Sequence, residues 1–162
     1  MTLRMPLVIG SDGLIQQLQP GDSISAPMNT PSLRAVTNAE ATAALPIGTP
    51  VYTSATDAVK RAQANAKTTG KVAGLVNDAS IAAGAIGNVA QSGIVVATTA
   101  QWDAVAGTTG GLTPNTYYFL DPATAGKITA TAPSTTGQVN TLIGLSISST
   151  ALEVDPVAPI LL

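Results

Sequence analysis

Thr68-Thr69-Gly70-Lys71-Val72-Ala73-Gly74-Leu75-Val76 reads as a polar turn running into a short apolar strand, and much of it returns further along the chain. Thr135-Thr136-Gly137-Gln138-Val139 repeats its first half, and Gly144-Leu145-Ser146 lies against Gly74-Leu75-Val76 after a short insertion. Upstream of each, Gly48-Thr49-Pro50-Val51-Tyr52 lies against Pro114-Asn115-Thr116-Tyr117-Tyr118, and Lys60 or Arg61 falls near Lys127. Matches in the same order at similar separations predict a duplicated unit of strand, turn, strand, turn, strand, with Ile86 to Gly111 joining the copies. A three-stranded unit cannot bury its apolar face alone, and a second copy supplies the missing wall.

The surrounding sequence agrees. Short β-rich runs at Pro50–Thr53, Ala58–Ala64, Lys71–Val76, Ile86–Val96, Tyr117–Leu120, Lys127–Thr131, Leu142–Ile147 and Leu152–Val154 are bounded by Gly, Pro, Asp or Thr. That spacing predicts an all-β domain over residues 47–162, a small sandwich or barrel. One segment is helical instead. Thr98 with Gln101 three residues later makes a capping box, and Gly107 suits a left-handed C-terminal position. The two-turn helix between them puts Trp102 and Val105 on one face, where Trp102 plugs one end of the β structure.

Residues 1–46 differ in texture and predict an extended N-terminal arm. Leu7-Val8-Ile9, the turn Gly10-Ser11-Asp12-Gly13 and Leu14-Ile15-Gln16-Gln17-Leu18-Gln19 read as a hairpin, closed by Pro20-Gly21-Asp22. From Ser23 to Pro46 large apolar residues are few and Pro27, Pro31 and Pro46 intervene, which predicts extended chain, with one helical turn at Ala39–Ala44.

Composition excludes a good deal of chemistry. The 162 residues contain no His and no Cys, so a Ser-His-Asp triad, a Cys nucleophile and a Cys/His zinc site are all ruled out. No enzyme activity, metal or cofactor is expected. A net charge of −2 argues against a sequence-independent hold on nucleic acid. No apolar run suits a signal peptide or a membrane span, which predicts a chain made in the cytoplasm with no membrane partner. Charged residues make up only 10% of the chain, against the ~25–35% charged surface typical of a well-solvated designed monomer, so part of the surface is expected to be covered.

Most individual residues read as structural. Asp12, Asp22, Asp57, Asp78, Asp121 and Asp155 sit beside turns, where Asx and capping chemistry accounts for them. Glu153 and Asp155 share one strand face and read as solvated rather than as a glycosidase-like pair. Lys60, Arg61, Lys67 and Lys71 cluster but are not interleaved with aromatics that could stack bases, and Lys on strand edges blunts unwanted pairing. Gly70-Lys71 lacks the rest of a phosphate-binding loop, and Gly107-Thr108-Thr109-Gly110-Gly111 reads as a turn. In Tyr117-Tyr118-Phe119, alternation sends Tyr118 to one face and Tyr117 and Phe119 to the other, so one face packs the core and the other suits a subunit contact.

Two patches resemble a known group of proteins. Leu7-Val8-Ile9 with Gln16-Gln17-Leu18-Gln19-Pro20-Gly21-Asp22 resembles the opening of tailed-bacteriophage head-fibre, decoration and tail-fibre proteins. Thr98-Thr99-Ala100-Gln101-Trp102-Asp103-Ala104-Val105, Gly110-Gly111-Leu112-Thr113-Pro114 and Tyr117-Tyr118, with the closing Pro156-Val157-Ala158-Pro159-Ile160-Leu161-Leu162, resemble a small β-domain of the same virion proteins. The resemblance covers about half the chain and implies a non-enzymatic, usually trimeric virion component attached through its N-terminal segment. Leu7, Val8, Ile9, Leu14, Ile15 and Leu18 are then the expected attachment residues on the major capsid protein. Trp102, Tyr117, Tyr118 and Phe119 are the expected subunit contact or core plug. A tail fibre would continue into a shaft, and this chain stops after the β-domain, which favours a head decoration protein over the alternative of a tail-fibre or baseplate adaptor. A carbohydrate-binding β module is a third reading, and it needs Trp102 and Tyr118 exposed.

Overall fold

The computed structural model describes the strands at residues 7–9 and 15–17 and the whole of residues 30–162. β1 (Leu7–Ile9) and β2 (Ile15–Gln17) form an antiparallel hairpin with Ile9 opposite Ile15. The remaining described residues are mostly β and build two modules that share one strand.

The first module is a closed five-stranded barrel. Its elements are β3 (Ser32–Asn38), β4 (Leu45–Pro46), β5 (Pro50–Ala55), β6 (Ala58–Arg61), β7 (Val72–Val76), β8 (Ser80–Ile81) and the first half of β9 (Ile86–Val96). The wall runs β3-β6-β5-β7-β9, and β9 returns to β3 to close it. A five-stranded barrel has a narrow interior, which small branched side chains fill. Val36, Val51, Val59, Val76 and Val89 point inward, joined by Leu45 and Ile81 from the paired β4 and β8.

β3 corrects the expectation of an extended arm through residue 46. It pairs antiparallel with β9 and parallel with β6, so it is a full wall of the barrel. Pro27 and Pro31 precede the strand and do not interrupt it, and its apolar content is low for a structural reason. Val36 is its one large inward side chain, Arg34 sits at the barrel mouth in an ion pair with Asp57 (2.9 Å), and Asn38 is buried but satisfied. Asn38 Nδ2 donates to the carbonyls of Ala43 (3.0 Å) and Ile81 (2.9 Å), while its Oδ1 accepts from Glu40 N–H. Those bonds take backbone groups a helix would need, so Ala39–Ala44 bends without forming the expected helical turn.

The second module uses the other half of β9, then α1 (Thr99–Ala106), β10 (Tyr117–Leu120), β11 (Ile128–Thr129), β12 (Val139–Asn140), β13 (Leu142–Ser148), β14 (Ala151–Val154) and β15 (Ile160–Leu161). Its wall runs β11-β10-β13-β14-β9, with β12 and β15 paired beside it.

The two modules follow one plan. β5 meets β7 at Val51↔Gly74 with a bulge after Val51, and β10 meets β13 at Tyr118↔Gly144 with a bulge after Tyr118. Leu75↔Ala90 between β7 and β9 corresponds to Leu145↔Glu153 between β13 and β14. Ala90↔Leu33 then corresponds to Glu153↔Ile94, so β3 matches the second half of β9 and its first half matches β14. Hydrogen bonds repeat too. Gly48 N–H donates to Val76 O and Val76 N–H to Thr49 O, as Asn115 N–H donates to Ser146 O and Ser146 N–H to Thr116 O. Gly48 (φ +78°) and Asn115 (φ +56°) fill the same left-handed position, one that glycine and asparagine tolerate. The duplicated unit is therefore five strands rather than the three expected, and β9 is a member of both copies rather than a linker. Lys60 corresponds to Thr129, since each lies one strand over from Tyr52 and Phe119, so the Lys60–Lys127 match is two residues out of register.

The copies differ where the barrel closes. In the first, Thr37↔Ala58 and Asn38↔Val59 join β3 to β6. In the second, the corresponding Thr98 and Thr99 leave the strand and start α1. Ala62–Ala64 of the first module fills part of that gap: Ala64 N–H donates to Asp121 O (3.0 Å), Gly126 N–H to Ala62 O (2.7 Å) and Val139 N–H to Ala64 O (2.9 Å). Thr141, fully buried, adds a bond from its Oγ1 to Gly70 O. The interior of the second module, with Val95, Tyr118, Leu120, Ile128, Ile143, Leu152 and Val154, packs against the outer wall of the first at Leu75, Ala90, Ala62 and Ala64.

Candidate interaction surface

α1 forms as its sequence predicts. Thr98 N–H donates to Gln101 Oε1 (2.8 Å) and Gln101 N–H to Thr98 Oγ1 (3.3 Å), the reciprocal capping box, and Gly107 caps the other end with φ +66°. The helix seats Trp102, which is 0% exposed, over Gly48, where any Cβ would come within 2.8 Å of the indole ring. Its Nε1–H donates to Thr150 O at 3.0 Å, tying α1 to the β13–β14 turn. Tyr118 is also buried (1% exposed), its hydroxyl accepting from Thr113 N–H. Trp102 and Tyr118 therefore serve the core. Neither ring is available as a carbohydrate platform.

The Gly107–Gly111 turn is organised by a carboxylate that turn spacing alone did not single out. Asp103 accepts from Gly111 N–H (2.7 Å), Gly110 N–H (3.0 Å) and Thr108 Oγ1–H (3.0 Å). The Gly111 bond foremost, then those of Gly110 and Thr108, holds its carboxyl below the usual 3.8, outweighing partial desolvation. A group with a depressed folded pKa stabilises the fold above its unfolded value and loses that contribution as pH falls through the lower folded value. Stability conferred by Asp103 should thus be intact at neutral pH and disappear only on acidification below about pH 4. Asp103→Asn should flatten the acid limb of a stability–pH curve followed by urea denaturation. An acid limb as steep as the parent's would show that Asp103 does not contribute to it.

Asp121 shows the local Asx pattern expected of the turn carboxylates, whereas Asp78 reaches a strand ten residues further along. Asp121 Oδ1 accepts from Ala123 and Thr124 N–H, and Asp78 from Asn88 N–H. The basic cluster divides. Arg61 donates to Ala44 O, whereas Lys60 and Lys71 lie on exposed strand and turn surface. Outside the cluster, Lys127 Nζ donates to the helix carbonyl of Ala104. Among the described residues no three of Asp, Glu, His or Cys converge as a metal site, and no helix is long and apolar enough to cross a membrane.

The feature that stands out is a sheet face. Register places Tyr117, Leu145, Glu153 and Ile94 in one row across β10, β13, β14 and β9, with Ala151 and Val96 paired in the next row and Ile147 beside them on β13. Tyr117 is 57% and Val96 62% exposed, and Glu153 is the row's one charge. Tyr117, Leu142, Gly144, Leu145, Glu153 and Asp155 line a concavity of about 230 Å³ on this face. Phe119, half-buried, points to the same side of β10 as Tyr117. A second concavity, about 390 Å³, lies at the mouth of the first barrel, lined by Arg34, Thr53, Thr68, Lys71, Val72, Ala73 and Gln91.

Of the expected attachment residues, Leu7, Val8 and Ile9 form β1 and Ile15 begins β2. Leu14 and Leu18 lie outside the described residues. No protein-family model matches the chain, and no curated protein matches it.

Proposed function

We propose that this chain is a non-enzymatic structural protein of a tailed-phage virion, which decorates the capsid and projects its two β modules outward as a homotrimer. The observation that carries the reading is an apolar sheet face, with Val96, Tyr117 and Ile147 exposed and Ile94 and Leu145 half-buried, on a chain with 10% charged residues. Contiguous apolar surface of that kind marks a contact site. Attachment to the major capsid protein falls to the segment ahead of the barrel, which carries the β1–β2 hairpin, because β3 onward is committed to the barrel wall. Strand segments of this sort bind partners by adding to a sheet edge. The added contacts would tie neighbouring capsomers together against the pressure of packaged DNA. Deleting residues 2–22 should abolish binding to undecorated capsids and leave the two β modules folded, measured by co-sedimentation and circular dichroism. Undiminished capsid occupancy by the truncated chain would overturn the attachment role, and a virion carrying only a few copies would move the protein to the tail.

A further inference from the structure

The internal repeat shows what the mouth of the first barrel has given up. Register matches Tyr52 with Phe119, Val72 with Leu142 and Leu33 with Ile94. The next residue of each strand then matches Thr53 with Leu120, Ala73 with Ile143 and Arg34 with Val95. Leu120, Ile143 and Val95 are fully buried in one core cluster. The first barrel has a hydroxyl, a methyl group and a guanidinium in their place, and there the fold leaves a concavity of about 390 Å³. Thr68, Lys71 and Gln91 add to its lining. Gln91 sits where β9 bulges between its partners Ser32 and Leu33, and a bulge of this kind re-aims a side chain.

A barrel end that needed only closing would keep the aliphatics, since a guanidinium resists burial. The residues present form a binding set instead. Arg34 and Lys71 supply positive charge, Thr53, Thr68 and Gln91 supply neutral donors and acceptors, and no aromatic ring lines the hollow. Arg34 Nη2 donates to Asp57 Oδ1 at 2.9 Å, but the two side chains are 37% and 70% exposed, so solvent screening leaves the pair weak and open to exchange. Lys71 is exposed and has no ion-pair partner among the described residues. The volume falls within the ~300–1,000 Å³ of small-molecule sites, which is more than a bare ion fills. A neutral sugar finds no ring to stack on here, so charge has to carry the affinity. We propose that the Arg34–Lys71 hollow binds a small hydroxylated organic anion, with its carboxylate or phosphate on Arg34 and Lys71 and its hydroxyls on Thr53, Thr68 and Gln91. An arginine fork suits either oxyanion. This site and capsid attachment stand or fall separately.

Isothermal titration calorimetry of the full chain tests this with four probes. Glucuronate and glucose 6-phosphate share a ring and differ in the anion, glucose lacks the anion, and inorganic phosphate lacks the ring. At least one of the two sugar acids should bind with a dissociation constant of about a millimolar or tighter, and which one binds distinguishes carboxylate from phosphate. Glucose should not bind. Arg34→Ala should weaken binding about tenfold or more. Ala73→Ile, which restores the side chain of the second module, should abolish it by filling the hollow. Asp57→Asn should strengthen binding several-fold by releasing Arg34, and asparagine tolerates the left-handed backbone (φ 51°) at that position. This gain decides the matter should Arg34→Ala fail to fold, which emission from buried Trp102 reports. Failure of both sugar acids to bind at ~10 mM overturns the proposal. So does inorganic phosphate binding as tightly as glucose 6-phosphate, which would mean an adventitious ion only, and so does binding indifferent to both Arg34→Ala and Asp57→Asn.

Discussion

Gly144→Ala should cost about 3 kcal/mol, at the upper end of what overpacking a tight site costs. For a chain of this length that is a fall of roughly 6–12 °C in melting temperature. Gly144 sits opposite Val154 in the β13–β14 ladder, and a Cβ there would lie 1.9 Å from Glu153 O and 2.9 Å from its carbonyl carbon. Both obstacles are backbone in a paired strand, so no side chain can rotate away and the ladder itself must open. The corresponding Gly74 faces the same problem against Ala90 O at 2.4 Å, with a positive φ of 153° in addition. Gly74→Ala should therefore destabilise comparably. Thermal unfolding followed by circular dichroism decides it, and a Gly144→Ala protein melting within a degree or two of the parent would mean the two strands do not approach this closely.

Trp102→Ala should be as damaging, at about 3–5 kcal/mol, the usual cost of emptying a buried aromatic site. Three losses coincide there. The ring is fully buried, its floor is Gly48, which offers no side chain to collapse into the cavity, and Thr150 O would lose its donor. Trp102→Phe retains most of the apolar contact but not the hydrogen bond, so it should fall between the parent and Trp102→Ala. Urea denaturation followed by circular dichroism gives the order, since both variants lack the only tryptophan. A loss under about 1 kcal/mol for Trp102→Ala would contradict a core role.

These two sites also show where the sequence was legible. The capping box at Thr98 and Gln101, the Gly107 cap, and the extents of Ile86–Val96 and Tyr117–Leu120 follow from local rules and appear at the residues expected. Trp102 as a plug followed from helix periodicity. The duplication was visible through Gly74-Leu75-Val76 and Gly144-Leu145-Ser146 because each glycine is imposed by a close strand approach, which composition cannot mimic. β3 was hidden, since a narrow barrel asks for only one large inward residue from it and its ends are polar. Strand sharing was hidden as well: β9 reads as a single long run, and nothing local marks the change of module at its middle. The exposed face was half legible. Alternation separated Tyr117 and Phe119 from Tyr118, but that Leu145 and Glu153 join Tyr117 depends on register between strands far apart in sequence.

Sharing β9 also orders events during synthesis. The first barrel has all its walls once Ala90 has left the ribosome, because Leu33 pairs with it there. The next residues of the same strand, Gly93–Val96, then wait as a bare edge until Ala151–Val154 emerge to pair with them. A nascent chain paused in between carries a finished barrel with an open strand, the kind of edge that recruits stray strands from neighbouring chains. The short helix that follows immediately carries its own capping box, but its Trp102 gains the Thr150 carbonyl only when that residue emerges, so it too is completed late. The modules are coupled in time as well as in space, and no cut between them leaves both halves of β9 paired.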